Sequence, residues 1–259
     1  MSAVSARAAV ERFFERERRP PMPSIGSSPR ANLLPAVLSV IAGSTDTIGF
    51  LGLGGLFTAH ITGNLVVLAA HVASGGTARL AEMLSVPVFM IVLCLTRLLA
   101  GGLEAIQIAS LRPLLLLQLL LLAGFLFICV AAGARLDPNA TTAIIAGMLG
   151  VAAMAVQNTL VQVSLKGAPP TAVMTTNITR FTVDIGTLLL GKPVEEIAGA
   201  RSRTKHTWPA IVGFALGCGL GALCEAAVGL WALILPTVLA LLALAISTDG
   251  LTCGLSVRR

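Results

Sequence analysis

The sequence predicts an all-α transmembrane helical bundle, with six to eight hydrophobic segments arranged in two repeated halves. Composition, the spacing of apolar runs and an internal repeat lead there. Hydrophobic residues make up 56% of the chain and charged residues 12%, with a mean hydropathy of +0.90. A water-soluble domain usually carries about a quarter charged residues, so too little polar surface remains to cover a soluble globule of this size. The apolar excess falls into separate runs near 33–53, 57–73, 83–103, 113–133, 141–160, 171–190, 208–228 and 230–247. Each approaches the ~20 residues that a helix needs to cross hydrocarbon. Short polar connections separate them, at Ser74-Gly75-Gly76, at Asp137-Pro138-Asn139 and through the charged run 192–206.

The repeat is read directly. Thr58-Ala59-His60-Ile61-Thr62-Gly63-Asn64-Leu65 matches Thr171-Ala172-Val173-Met174-Thr175-Thr176-Asn177-Ile178 at an offset of 113 residues. Downstream, Gly101-Gly102-Leu103-Glu104-Ala105 matches Gly221-Ala222-Leu223-Cys224-Glu225-Ala226 with one insertion. Upstream, Asp46 corresponds to Gln157 or Asn158. The domain organisation expected is a basic cytoplasmic tail over 1–31, repeats over 32–135 and 136–248, and a short cytoplasmic tail over 249–259. Four crossings per unit would make the halves parallel (4+4). If 57–73 and 171–190 are re-entrant, three crossings per unit make them inverted (3+3).

Charge placement fixes orientation. Basic residues concentrate in the first thirty residues (Arg7, Arg12, Arg16, Arg18, Arg19, Arg30), in 191–207 (Lys192, Arg201, Arg203, Lys205) and at Arg258 and Arg259. The positive-inside rule puts both termini in the cytoplasm. The tail lacks the aromatic interleaving of a nucleic-acid module, so its expected partner is anionic lipid. The cysteines form no CxxC pair, and the histidines lack ligand spacing, so neither a disulfide framework nor a metal site is expected. No nucleophile elbow, phosphate-binding loop or dinucleotide fingerprint is present. The sequence therefore predicts neither an enzyme nor a cofactor.

Polar groups in hydrocarbon need partners or a water-lined cavity, which makes them site candidates. Asp46 lies mid-helix, followed by Gly49, Gly52, Gly54 and Gly55, a run suited to a helix break before the first motif. The expected substrate-binding residues are Asp46, Thr62 and Asn64 from the first half. From the second come Gln157, Asn158, Thr175, Asn177, Arg180 and Asp184. The amides and hydroxyls are hydrogen-bond ligands, and the ionisable groups balance charge or exchange protons. Arg180 and Asp184, one helical turn apart, are expected to pair. His71 occupies the position matching Asp184. Gly213, Gly217 and Gly221 form a close-packing face.

The run Ala42-Gly43-x-x-Asp46-x-Ile48-Gly49-Phe50-Leu51, then Gly54-Gly55-Leu56-Phe57-Thr58-Ala59-His60-Ile61-Thr62-Gly63-Asn64, resembles the YoaK-type family of small bacterial membrane proteins of unknown function. Gln157-Asn158 followed by Met174-Thr175-Thr176-Asn177 resembles that family's second motif, with Thr176 where the family usually has glycine. The resemblance covers 33–247 and implies a multi-pass protein of the bacterial inner membrane, without supplying an activity. The expected function is a permease for a small solute or ion bound between the repeats, with the bilayer and further copies of the chain as partners. The alternative is a non-transporting scaffold that binds lipid or a partner.

Overall fold

The computed structural model describes residues 29–75, 79–133, 136–191 and 193–255. Most of the basic tail, Arg135, Lys192, Arg258 and Arg259 lie outside the described residues. The elements are helices α1 (Pro29–Gly52), α2 (Ile61–Ala73), α3 (Leu80–Ala105), α4 (Leu111–Ala131), α5 (Thr141–Ser164), α6 (Met174–Leu189) and α7 (Val194–Val228). A 3-10 turn (Gly229–Leu233) then leads into α8 (Ile234–Leu255). No strand occurs among the described residues.

Five stretches are long and apolar enough to cross a membrane: Leu33–Gly52, Leu80–Ala105, Leu111–Ala131, Thr141–Ser164 and Val194–Ser247, the last joining α7, the 3-10 turn and α8. Helix α2 is apolar but has 13 residues and α6 has 16. At 1.5 Å per residue they reach only ~20–24 Å, short of the ~30 Å hydrocarbon core. The boundaries differ from the sequence expectation most at α7. The charged run 192–206, read as a loop, is helical from Val194 onward. Glu195 and Glu196 in the first turn complement the helix dipole, and the polar residues that follow include good helix formers. Hydropathy marks only where a helix enters lipid, not where it begins.

Helices α1 and α5 form the core. Their span windows are 67% and 72% buried, against 17% for α3 and 33% for α4. Small residues on α5 allow this, since Gly147 lies against Leu56 and Gly150 against Phe125 and Thr58. Helix α3 instead exposes Met90, Ile91, Leu95 and Leu98, and α4 exposes Leu116, Leu120 and Phe127. Such an apolar belt suits lipid, not water.

Contacts along the helices set their directions. Gln157 on α5 bonds the carbonyl of Leu38, while Thr58 touches both Gly49 and Gly150. Thus α1 and α5 run antiparallel. Helices α4 and α5 are antiparallel too, through Ser110 with Ser164, Gln118 with Gln157 and Phe125 with Gly150. Helix α7 runs parallel to α1. Gly213 faces Ala36, Gly217 faces Val40 and Gly221 faces Ser44, one turn at a time. Without a Cβ the two backbones approach closely, as in small-xxx-small membrane interfaces. Finally, Arg79 donates to the carbonyl of Gly54, and Gly54 also lies against Pro138. The end of α1 and the starts of α3 and α5 therefore share one end of the bundle.

Candidate functional site: two crossovers and their clefts

Each copy of the repeated motif builds a crossover, a loop leading from a long helix into a short one, buried to half-buried throughout in the first copy and buried at Thr171 and Ala172 in the second. In the first, the Asp46 carboxylate on α1 reaches the loop 53–60. Its Oδ1 accepts from the amides of Ala59 (2.6 Å) and His60 (3.2 Å) and from the Thr58 hydroxyl (3.5 Å). Its Oδ2 meets Nδ1 of His60 at 2.6 Å. The two amides immediately precede α2, where a helix start leaves unpaired donors and favours negative charge. Asn64 closes the loop from the other side. Its Oδ1 accepts from the Phe57 amide (2.8 Å), and its Nδ2 donates to the Phe57 carbonyl (2.8 Å).

The second crossover repeats this plan. Asn177 Nδ2 donates to the carbonyl of Pro170, seven residues back, at 2.6 Å. Asn64 and Asn177 thus brace equivalent carbonyls, at the same offset as the motif. The difference is chemical. Pro170 has no amide hydrogen, so Oδ1 of the fully buried Asn177 has no hydrogen-bond partner. In place of a carboxylate, Gln157 on α5 holds the loop, donating through Nε2 to the Thr171 hydroxyl (2.9 Å) and to the Leu38 carbonyl (2.8 Å). Gln118 on α4 donates to Gln157 Oε1 at 2.7 Å and keeps its own Oε1 unpaired. At the constant offset, Ser44 rather than Asp46 aligns with Gln157. The correspondence holds through the threonines that Asp46 and Gln157 reach, Thr58 and Thr171.

The Asn braces carry a direct expectation. Asn64→Ala strips partners from both an amide and a carbonyl, whereas Asn177→Ala strips one from a carbonyl alone. An orphaned buried donor costs about 1–3 kcal/mol. Asn64→Ala should therefore destabilise the purified protein by about that much more than Asn177→Ala, read as the gap between their thermal unfolding free energies.

Two clefts open beside the crossovers. The first, of ≈ 500 Å³, is lined by Asp46, Thr62, His60 and the rings of Phe50, Phe57 and Phe214, among others. The second, of ≈ 310 Å³, is lined by Asn158, Gln162, Thr171 and the loop backbone around Gly167. Of the residues expected from sequence, Asp46 and Thr62 border the first cleft and Asn158 the second. Asn64, Asn177 and Gln157 are buried braces instead. Thr175 and Arg180 are exposed on α6. The set does not converge on a single cavity.

One pairing is corrected. Asp184 is bound not by Arg180 but by Arg203 of α7, through Nε (3.1 Å to both oxygens) and Nη2 (2.5 Å). The one-turn spacing on α6 made the local pair attractive. The carboxylate is buried toward α7 while Arg180 lies exposed, so the neighbouring helix supplies the cation. In the first copy, His71 Nδ1 similarly meets Glu82 Oε2 on α3 at 3.1 Å. Arg203→Ala should lower stability by about 1–3 kcal/mol by leaving a buried carboxylate unpaired, and Arg180→Ala should be neutral within about 0.5 kcal/mol. Paired urea unfolding curves check this.

Sequence reasoning missed His60, Glu82, Gln118 and Arg203. For His60 a signal was present: of the four motif positions where the halves differ, it is the one that exchanges a titratable side chain for an apolar one, Val173.

Several long apolar helices, two broken by polar crossovers, define a helical membrane protein. Residues 34–246 match the family described as "Protein of unknown function (DUF1275)". The chain belongs to that family, which is the YoaK-type family its motifs resemble. No curated protein matches the chain, and no solved structure does either.

Proposed function

We propose that this protein is a small permease with six crossings, built from inverted repeats of three crossings each. Its solute passes by way of the two crossover clefts. The observation that carries this reading is the pair of asparagine-braced crossovers at one sequence offset, on central helices that run antiparallel. Broken helices related by an in-plane axis are how secondary transporters expose polar backbone near the membrane middle.

The helix directions support the crossing count. If α1 ends and α3 begins at the same end of the bundle, α2 enters and leaves on one side. Helix α7 parallel to α1 makes α6 re-entrant by the same reasoning. Charge supports the orientation. With six crossings, Arg112, Lys166, Arg201, Arg203 and Lys205 fall at the α1 start, while Arg79 lies at the other end and is engaged with Gly54. The basic end is cytoplasmic, with both termini there.

Single cysteines at Thr62 and Thr175, both exposed and one in each short helix, test the reading in a cysteine-free background. Membrane-impermeant thiol reagents should label position 62 from the outside and position 175 from the cytoplasm. Protection of both positions from both sides would sink the permease and favour the scaffold.

A further inference from the structure

We infer that the first cleft takes a protonated organic amine with an apolar body, whose N–H donates to Nε2 of His60. The inference rests on the permease reading of this cleft and names its substrate class. Among the cleft's lining residues Asp46 is the one acid, and no lysine or arginine borders it. Both Asp46 oxygens already accept from the protein, so the carboxylate sets the charge of the site without itself touching a ligand. It also sets the tautomer. With Nδ1–H directed at Asp46, His60 Nε2 carries a free lone pair. That nitrogen has no protein partner, and the side chain is 39% exposed.

When the imidazole is neutral, it and the carboxylate together carry one negative charge in apolar surroundings, which favours a cation and disfavours an anion. The rest of the wall fits the remainder of such a molecule. Phe57 packs on Phe50 at 4.6 Å between ring centroids, and His60 sits edge-on to Phe57 (6.0 Å) and Phe214 (5.5 Å). Phenylalanine faces attract ammonium groups and bury apolar carbon. A volume of ≈ 500 Å³ suits a small molecule.

Proton and amine compete for the same lone pair. When His60 is protonated at Nε2, the site is neutral and offers a donor where the amine needs an acceptor. Amine entry therefore releases that proton, which is the elementary step of proton–amine exchange. The titratable groups facing His60 are Asp46 from α1 and Cys218 from α7. Neither adds a second cation.

The test measures binding to the full chain in lipid nanodiscs by calorimetry, with benzylamine, benzyl alcohol and benzoate as matched probes. Benzylamine should bind at least about tenfold more tightly than benzyl alcohol, benzoate should not bind, and benzylamine affinity should fall at mildly acidic pH. Asp46→Asn should weaken benzylamine about tenfold, and Phe214→Leu, which leaves the crossover bonds intact, about threefold. Equal binding of alcohol and amine, or unchanged benzylamine affinity in Phe214→Leu together with a flat pH profile, would overturn the inference. Benzylamine binding without flux in proteoliposomes sinks the permease but leaves the amine site standing. Flux of another solute without benzylamine binding does the reverse.

Discussion

Gly217→Val should abolish the folded protein, and Gly217→Ala should already cost about 1–3 kcal/mol. A Cβ at this position would sit 2.9 Å from the Val40 Cα and 3.0 Å from its carbonyl carbon, and closer still to the carbonyl oxygen. Backbone cannot move aside as a flexible side chain does. The change must push α7 off α1, and Gly213 and Gly221 would lose their contacts with Ala36 and Ser44 in the same motion. Gly219, two residues from both Gly217 and Gly221, is the control, because nothing lies within 4 Å of its added Cβ. Gly219→Ala should be neutral or stabilise by up to about 1 kcal/mol, from helix propensity alone. Thermal unfolding of the purified variants, with the monodisperse fraction on gel filtration, reads both. If Gly217→Ala melts with the parent protein, the close approach of the two helices is wrong.

Asp46→Ala should be the most damaging single change at the first crossover. It removes the acceptor for the Ala59 and His60 amides and for His60 Nδ1, leaving buried or half-buried donors unpaired. At about 1–3 kcal/mol for each, the loss is about 3 kcal/mol or more, a large share of a typical folding free energy. Asp46→Asn keeps one acceptor oxygen for the Ala59 amide and should lose less than half as much. Its effect falls on the cleft, because the negative charge is gone. Unfolding free energies of the two variants, measured side by side, separate the structural part from the electrostatic part. An alanine variant as stable as the asparagine one would show that the carboxylate does not hold the loop.

The class of protein was legible because hydropathy is a bulk property of the chain, and Asp46 was legible because a charge inside an apolar run is costly without a use. The repeated motif was legible as a repeat, and the structure adds that its two asparagines brace the crossover loops. What both halves keep, Asn64 and Asn177, braces a loop carbonyl seven residues back. The halves differ in what holds the loop, Asp46 with His60 in the first and Gln157 in the second. The partners that escaped notice are non-local. Asp46 and His60 are fourteen residues apart across a loop, Asp184 and Arg203 nineteen, and Gln118 and Gln157 thirty-nine. Periodicity ranks neighbours on one helix and is blind to which face another helix covers, so it offered Arg180 where α7 offers Arg203. The helical start of α7 was hidden for a similar reason, since polarity there reports depth and not conformation.

The proline at position 170 makes the two crossovers unequal in how much of their backbone the protein itself satisfies. In the first crossover the amides of Leu53, Gly55, Phe57, Ala59 and His60 are all bonded within the protein. In the second, Pro169 and Pro170 carry no amide hydrogen, the bonded amides of the loop are Leu165 and Ala168, and Asn177 retains an unused lone pair. Polar groups that the chain leaves unmatched are matched by water. The Thr58 crossover satisfies more of its backbone within the protein than the Thr171 crossover does. In deuterium exchange the amides of 53–60 should outlast those of 165–173.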